Sequence, residues 1–290
     1  MPKILIALDA GPTSATTLAG ARAIMGNVPW TVRLIYSGHD PEGTARAYLD
    51  AAAADLKEEG HFVTVVMTAG TSDAAHMLQR ASISPRMDIV VLTRQESGEG
   101  WIDAEVPVAV ARRSQFCPVL IMPAQSTPEA TASYQVGHLL VALDGSATAE
   151  LGIDVSLTLA ERLGARVTVM TVAEAGKAPG SQAELPAIAT AADAEVYLDG
   201  VGQRYADRVQ FARVARQTSQ PVSAALAQEA RRRGAHLIVI TSHGAGGVRK
   251  SGLGQVAEAL ARTAPVPVLI ARPIPTSQVR FGRGALLKSR

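Results

Sequence analysis

The stretch Lys3–Gly26, KILIALDAGPTSATTLAGARAIMG, resembles the stretch His138–Gly164, HLLVALDGSATAELGIDVSLTLAERLG. Each begins with an apolar run of strand length, reaches an aspartate and continues into a run of helix length. The two halves of the chain also end alike, with CPVLIMP at Cys117–Pro123 and VPVLIAR at Val266–Arg272. A unit that recurs at both its beginning and its end predicts two copies of one domain.

Each copy alternates short β-branched runs, predicted as strands, with longer amphipathic runs, predicted as helices such as Glu42–Glu59. The alternation predicts βαβ units and a parallel sheet covered on both faces. The fold class is therefore α/β, with two doubly wound domains of five parallel strands each. The predicted strands are Ile4–Leu8, Val32–Tyr36, Phe62–Met67, Ile89–Thr93 and Val119–Met122, then Leu139–Leu143, Val167–Val172, Val209–Val214, Leu237–Thr241 and Val268–Ala271.

The predicted domains cover residues 1–124 and 137–272. Residues 125–136 are rich in Ser, Thr, Ala and Gln without periodicity, which predicts an interdomain linker. Residues 273–290 carry basic side chains and no acid, and an ordered or frayed tail is favoured over a nucleic-acid arm.

Composition limits the possible functions. With 290 residues, 47% of them hydrophobic, and a net charge of +2, the chain has no electrostatic footprint for nucleic acid. The amino terminus lacks a cationic leader, and no apolar run approaches the roughly 20 residues that span a bilayer. We expect a cytoplasmic protein without a membrane segment. The single cysteine, Cys117, excludes an intramolecular disulfide and a cysteine-based zinc site, and its apolar surroundings predict a buried hydrophobe.

In an open parallel sheet, ligands bind beyond the carboxyl ends of the strands, where the strand order reverses. In the second copy Ala142, Leu143 and Asp144 arrive there. Asp144 could accept hydrogen bonds from a base or a ribose. Alternatively, Asp144 or Ser146 could cap the following helix, and the sequence leaves both interpretations open.

A glycine-rich loop follows the fourth strand of the second copy. Gly244, Gly246 and Gly254 let backbone amides approach an anion closely, and the helix that begins near Gly254 adds its dipole. His243 could pair with phosphate oxygens. A solvated, flexible turn is the alternative.

Other nucleotide and catalytic motifs are absent from the sequence. There is no G-x-x-x-x-G-K-[ST], no G-x-G-x-x-G after either first strand, no G-x-S-x-G and no H-E-x-x-H. The residues therefore do not indicate covalent or metal catalysis.

The stretches ALDGSATAELGIDVSLTLAERLGARVTVMTV and AHLIVITSHGAGGVRKSGLGQVAEALARTAPVPVLIARP resemble the universal stress protein family, and the resemblance extends over both copies. It implies a doubly wound fold, tandem domains and, in one branch of the family, ATP binding. That branch carries glycine, two residues, glycine, nine residues, glycine, then Ser or Thr. Here Gly244 and Gly254 keep this spacing, while Thr241 replaces the first glycine and Gln255 replaces the hydroxyl residue.

By the same resemblance Ala142 and Asp144 lie near the adenosine, Val172 contacts it from the second strand, and Val256 follows the phosphate-binding turn. The resemblance also implies that the two fifth strands pair across a pseudo-twofold axis, Val119–Met122 with Val268–Ala271. Such pairing would bury two exposed edges.

In the first copy acidic residues stand where the phosphate loop would be: Glu96, Glu99, Asp103 and Glu105. Because these charges would repel a triphosphate, we expect the first copy to be a structural or regulatory partner without nucleotide. The chain is thus predicted to be a stress or regulatory protein with ATP in its second domain, forming a homo-oligomer such as a dimer of tandem chains. A non-nucleotide dimerising scaffold and a slow ATP hydrolase are the alternatives.

Overall fold

A computed structural model describes residues 1–70, 73–83, 86–95, 101–114, 117–124, 134–174, 188–205, 211–242 and 252–272. The predicted linker lies mostly outside these ranges, and the basic tail lies wholly outside them. The strands are β1 Lys3–Ala7, β2 Thr31–Ser37, β3 Phe62–Thr68, β4 Ile89–Thr93, β5 Val119–Met122, β6 His138–Leu143, β7 Arg166–Glu174, β8 Phe211–Thr218, β9 Leu237–Thr241 and β10 Val268–Ala271. The helices are α1 Thr13–Met25, α2 Thr44–Glu58, α3 Ala74–Ile83, α4 Val106–Arg113, α5 Ala147–Leu163, α6 Ala191–Tyr205, α7 Val222–Arg233 and α8 Gln255–Thr263.

The strands form one ten-stranded sheet in the order β3-β2-β1-β4-β5-β10-β9-β6-β7-β8. Every neighbouring pair is parallel except β5 and β10, which run antiparallel. The same five-strand order therefore occurs twice, and the two copies meet at their fifth strands. The α/β doubly wound class and the predicted pairing of fifth strands are both confirmed.

The seam between the two halves is buried. Leu120 of β5 lies opposite Leu269 of β10, and both are almost completely excluded from solvent. Two apolar clusters, one on each face of the sheet, each contain residues from both halves. Because the clusters run across the seam, hydrophobic burial binds the two halves together.

Polar side chains connect the halves on both faces of the sheet. On one face Arg112 of α4 pairs with Glu258 of α8, and Arg262 of α8 pairs with Glu105 beside α4. On the other face Arg162 of α5 donates to the carbonyl oxygens of Ile24 and Met25 at the carboxyl end of α1, where a cation is favoured by the helix dipole.

Strand positions were predictable because each strand is a short apolar run between turn signals. β4, β5, β9 and β10 have the predicted bounds, whereas β8 extends from Phe211 to Thr218 instead of ending at Val214. This outermost strand ends in three polar residues, Arg216, Gln217 and Thr218, so an apolar run does not mark its end. No helix within the described ranges has the length and apolar character needed to cross a membrane.

Candidate functional site

The strand order of the second half reverses between β6 and β9. At this point the structure describes the end of β6 with the residues that follow it, and the end of β9 at Thr241. Register pairing of Val141 with Val239 places the carboxyl ends of the two strands side by side. Asp144 follows β6 and is exposed. An exposed carboxylate at a switch point is suited to accept hydrogen bonds from a ligand.

Ser146, not Asp144, is the residue that caps α5. The Ser146 Oγ accepts a hydrogen bond from the Ala149 backbone N–H at 3.0 Å. Asp144 Oδ1 in turn accepts from the Ser146 N–H at 3.1 Å and from its hydroxyl at 2.7 Å. Ser146 therefore has the capping role, its hydrogen bonds orient Asp144, and contact of Asp144 with a ligand stays a prediction.

The start of α8 is the second part of the candidate site. Gly254 is its N-cap residue, and among the described residues no side chain caps the helix. The Gly254 N–H donates to the Ser242 carbonyl at 2.7 Å, which ties the helix start to the end of β9. A helix terminus without a capping side chain presents backbone donors and a positive dipole end to an anion.

The backbone conformation and the space for a Cβ atom differ between Gly252 and Gly254. Gly252 has a φ of +67°, and a Cβ there would lie 2.7 Å from the Arg112 carbonyl oxygen, so the fold itself demands it. Gly254 has a φ of −71°, and a Cβ there would come no closer than 3.4 Å to the Ser242 carbonyl. Among the described residues nothing therefore requires glycine at 254.

The structure accommodates both departures from the expected loop pattern. Thr241 is 4% exposed, and its methyl group faces Gly152 of α5, where a Cβ would lie 3.3 Å from that methyl. Gly152 thus makes room for the larger side chain. Gln255 is exposed at the first position of α8, so its amide is available at the surface.

Four of the other predicted site residues are described, and three are not. Ala142 and Leu143 are buried, at 8% and 5% exposure, while Val172 and Val256 are partly exposed and pack on the same apolar cluster as Ala142. His243, Gly244 and Gly246 lie outside the described residues.

Tyr197 of α6 stands near the rim and was not predicted. Its hydroxyl donates to Glu150 Oε1 at 3.0 Å. Burial raises the pKa of Tyr197, and the negative charges of Glu150 and then Asp144 raise it further. No sequence motif indicated that α6, which carries Tyr197, would pack beside this end of the sheet.

At the corresponding place in the first half, Asp9 is fully engaged by its own chain. Its carboxylate accepts from the Gly11 N–H at 3.0 Å, the Thr13 hydroxyl at 2.8 Å and the Ser14 hydroxyl at 2.6 Å, and also from the Gln95 side-chain amide. Four donors occupy the acceptor capacity of one carboxylate. Asp9 therefore accepts from four donors and is partly buried, whereas Asp144 accepts from Ser146 and is exposed.

An indole covers the same end of the first half. Trp101 Nε1 donates to the Leu8 carbonyl at 3.0 Å, directly beyond β1. Its ring meets the ring of Tyr36 edge to face, with centroids 6.4 Å apart at the carboxyl end of β2. Protein side chains thus lie where the first two strands would present a ligand surface.

The acids that were expected to repel phosphate in the first half have local roles where they are described. Asp103 Oδ1 accepts from the backbone N–H groups of Glu105 and Val106 at the start of α4, and Glu105 pairs with Arg262. Glu96 and Glu99 lie outside the described residues. That the first half holds no nucleotide stays a prediction, and Trp101 and Gln95 add side-chain contacts at this end of the sheet that the sequence did not predict.

The described part of the candidate site offers a carboxylate oriented by Ser146, the start of α8 and apolar strand ends. Across the part of the chain that is described, no three His, Cys, Asp or Glu side chains lie close enough together to hold a metal ion.

Fold and site together define a class, a tandem doubly wound α/β protein whose two switch points are lined by different side chains in the described residues. Residues 136–272 match the model of the universal stress protein family. The chain belongs to the universal stress protein family.

Two solved structures share the fold over most of both chains. A universal stress protein from Archaeoglobus fulgidus DSM 4304 is 19% identical, with 93% of this chain and 96% of that chain covered and a TM-score of 0.63. A functionally unknown protein from Pseudomonas aeruginosa PAO1 is 17% identical, with 94% and 93% covered and a TM-score of 0.68. A universal stress family protein from Burkholderia pseudomallei is 34% identical, with 47% and 96% covered and a TM-score of 0.37. No curated protein matches the chain.

Proposed function

We propose that the second half of this universal stress protein, residues 137–272, binds an adenine nucleotide, ATP, and that residues 1–124 form a regulatory or structural partner without nucleotide. Residues 125–136 link the two domains. The nucleotide lies across the carboxyl ends of β6, β7 and β9 and reaches the start of α8. The role of the protein is regulatory, in the response to stress, rather than catalytic turnover.

One observation carries the proposal, the contrast between the two switch points. Asp9 accepts from four donors and lies beside Trp101, whereas Asp144 is exposed and the helix start beyond β9 has no capping side chain among the described residues. Two copies of one fold thus differ where ligands bind. This difference supports a ligand in the second half alone.

The roles of the second-half residues follow from their positions. Asp144 accepts hydrogen bonds from the ribose or base, and Ala142 and Val172 supply apolar contacts to the adenine. The first backbone N–H groups of α8, at Gln255 and Val256, face the phosphates, where anions are stabilised by the helix dipole. Leu143, Thr241, His243, Gly244 and Gly246 complete the proposed site.

The variant Gly254→Ala tests this proposal. Alanine is a poorer N-cap than glycine, but it also restricts the unfolded chain, and these two effects are opposite and each at most about 1 kcal/mol. We therefore expect little change in the urea midpoint. A methyl group at the point of closest ligand approach should lower ATP affinity at least about tenfold in isothermal titration.

Gly200→Ala is the matched control. Gly200 lies within α6, and a Cβ there would meet nothing within 4 Å. ATP affinity should be unchanged in this variant. Wild-type affinity in Gly254→Ala would contradict the proposed geometry, and a wild-type protein that binds no ATP would favour the non-nucleotide scaffold.

A further inference from the structure

Arg272 occupies an unusual position beside the start of α8. It follows β10 directly, and the Ala271 carbonyl accepts from the Ser242 N–H at 3.1 Å, while the Ser242 carbonyl accepts from the Gly254 N–H at 2.7 Å. The ends of β10 and β9 and the start of α8 are therefore hydrogen-bonded side by side. Arg272 NH1 donates to the Gly252 carbonyl at 3.3 Å, two residues before the N-cap.

The guanidinium group of Arg272 is buried and incompletely paired. The residue is 4% exposed, and its Nε and NH2 have no hydrogen-bond partner among the described residues. Burial lowers the pKa of Arg272 to about 10, so the group keeps its positive charge at neutral pH. A buried cation normally has a counterion, because an unpaired one is strongly disfavoured.

The neighbouring groups that could neutralise this charge do not do so. Cys117 lies beside Arg272 across the β5–β10 seam, but burial raises the pKa of its thiol, which is therefore neutral at pH 7. Glu258 of α8 pairs instead with Arg112 and Arg262. Within the described ranges no carboxylate forms an ion pair with Arg272.

Other arginines at comparable places have evident structural partners. Arg94, directly after β4, donates to the Ala261 and Ala264 carbonyls near the end of α8, at 3.3 and 3.2 Å. Arg162 also has unpaired nitrogens, but it donates to two carbonyls at the end of α1 and lies over the Trp30 ring at 4.8 Å. Arg272 has one backbone acceptor and no aromatic contact in the described residues.

The first half has no equivalent cation. Pro123 follows β5 as Arg272 follows β10. The half whose switch point is filled by Trp101 thus carries proline, and the half whose switch point is open carries a buried arginine. The charge occurs only where a ligand is proposed.

We propose that Arg272 binds the phosphate groups of the nucleotide and makes the second half selective for a nucleoside polyphosphate over a nucleoside. This inference rests on the proposed function and adds to it the residue that reads the charge of the ligand. Two guanidinium nitrogens and the first amides of α8 then face the same anion, and the buried charge gains the counterion that the free protein lacks.

The test compares wild type, Arg272→Met and Arg272→Lys by isothermal titration with ATP, adenosine and inorganic tripolyphosphate. Arg272→Met removes the hydrogen bonds between a charged side chain and the phosphates. We therefore expect it to weaken ATP binding about 10- to 100-fold. Adenosine affinity should change less than about twofold, since adenosine has no phosphate. Arg272→Lys should be intermediate, because it keeps the charge but loses the planar fork. Arg231→Met, which removes an exposed charge on α7, is the control and should bind like wild type.

Stability of the ligand-free protein separates this role from a structural one. Removing an unpaired buried charge should leave the urea midpoint of Arg272→Met equal to or above that of wild type. A lower midpoint or failure to fold would show that Arg272 supports the fold and would overturn the inference, as would equal loss of ATP and adenosine binding.

The proposed function and this inference can fail separately. If wild type and Arg272→Met bind ATP equally, the inference is wrong and the nucleotide site stands. If wild type binds neither ATP nor adenosine, the proposed function is wrong, and tripolyphosphate then decides: binding by wild type but not by Arg272→Met supports the anion role, and any other result overturns it.

Discussion

Glu229 of α7 is predicted to be a major electrostatic contributor to the stability of the second half. It is 5% exposed, and it accepts from Arg232 Nε at 2.9 Å, from Arg233, and from Arg216 NH2 at 3.3 Å. The hydrogen bonds from Arg232 contribute most and, against the opposing effect of burial, hold the pKa of Glu229 at about 2, below its usual 4.5.

The size of the effect follows from this depressed pKa. A shift from 4.5 to about 2 corresponds to about 3 kcal/mol of folding free energy. Arg216 and Arg232 are roughly half exposed, so solvent screening should reduce this to about 2 kcal/mol. Because the folded-state pKa is the lower one, the stabilisation is complete above pH 4.5 and disappears as the pH falls towards 2.

The assay is urea unfolding, followed by far-ultraviolet circular dichroism, at pH 7 and at pH 3. Glu229→Gln should lower the free energy of unfolding by about 2 kcal/mol at pH 7 and should lose less stability than wild type between pH 7 and pH 3. Glu195→Gln, an exposed position on α6, is the control and should change stability by less than about 0.5 kcal/mol. A Glu229→Gln protein as stable as wild type at pH 7, or with the same pH dependence, would refute the reasoning.

Two further predictions concern the first half and the seam. Trp101→Ala should destabilise the protein by about 2 kcal/mol in urea unfolding, since it removes a partly buried ring and its hydrogen bond to the Leu8 carbonyl. A change below about 0.5 kcal/mol would mean that the ring does not pack against the ends of the strands in the first half. Leu120→Ala and Leu269→Ala should each lower the free energy of unfolding by about 3 kcal/mol. A double-mutant cycle should give a coupling energy of at least about 0.5 kcal/mol. Strict additivity would contradict direct contact of the two side chains across β5 and β10.

The sequence predicted the architecture well because the architecture depends on local patterns. Short apolar runs marked the strands, and the shared PVLI ending marked the two strands that meet at the seam. The carboxyl end of β8 was wrongly predicted because this outermost strand continues through the polar residues Arg216, Gln217 and Thr218.

The chemistry of the site was less accessible to sequence reasoning. The roles of Trp101 and Gln95 depend on long-range contacts with Leu8 and Asp9, which no spacing reveals. Arg272 looked like the end of a strand, and its isolation from acids appears only once β10 is packed between β5 and β9.

Thr241 shows that the sequence alone can also suggest an obstacle that the fold removes. From the sequence it is a departure from a glycine pattern. In the fold its methyl group faces Gly152, a residue far away in the chain, so the larger side chain is accommodated. Whether a substitution closes a site depends on the space opposite it, and that space is a tertiary property.

Native mass spectrometry of the 290-residue chain counts the ATP molecules bound to each chain. At an ATP concentration that just saturates wild type, we expect one nucleotide for each chain of wild type and a clearly lower occupancy of Gly254→Ala. Two nucleotides for each chain would contradict the filled switch point beside Trp101, and none would contradict the nucleotide site in the second half.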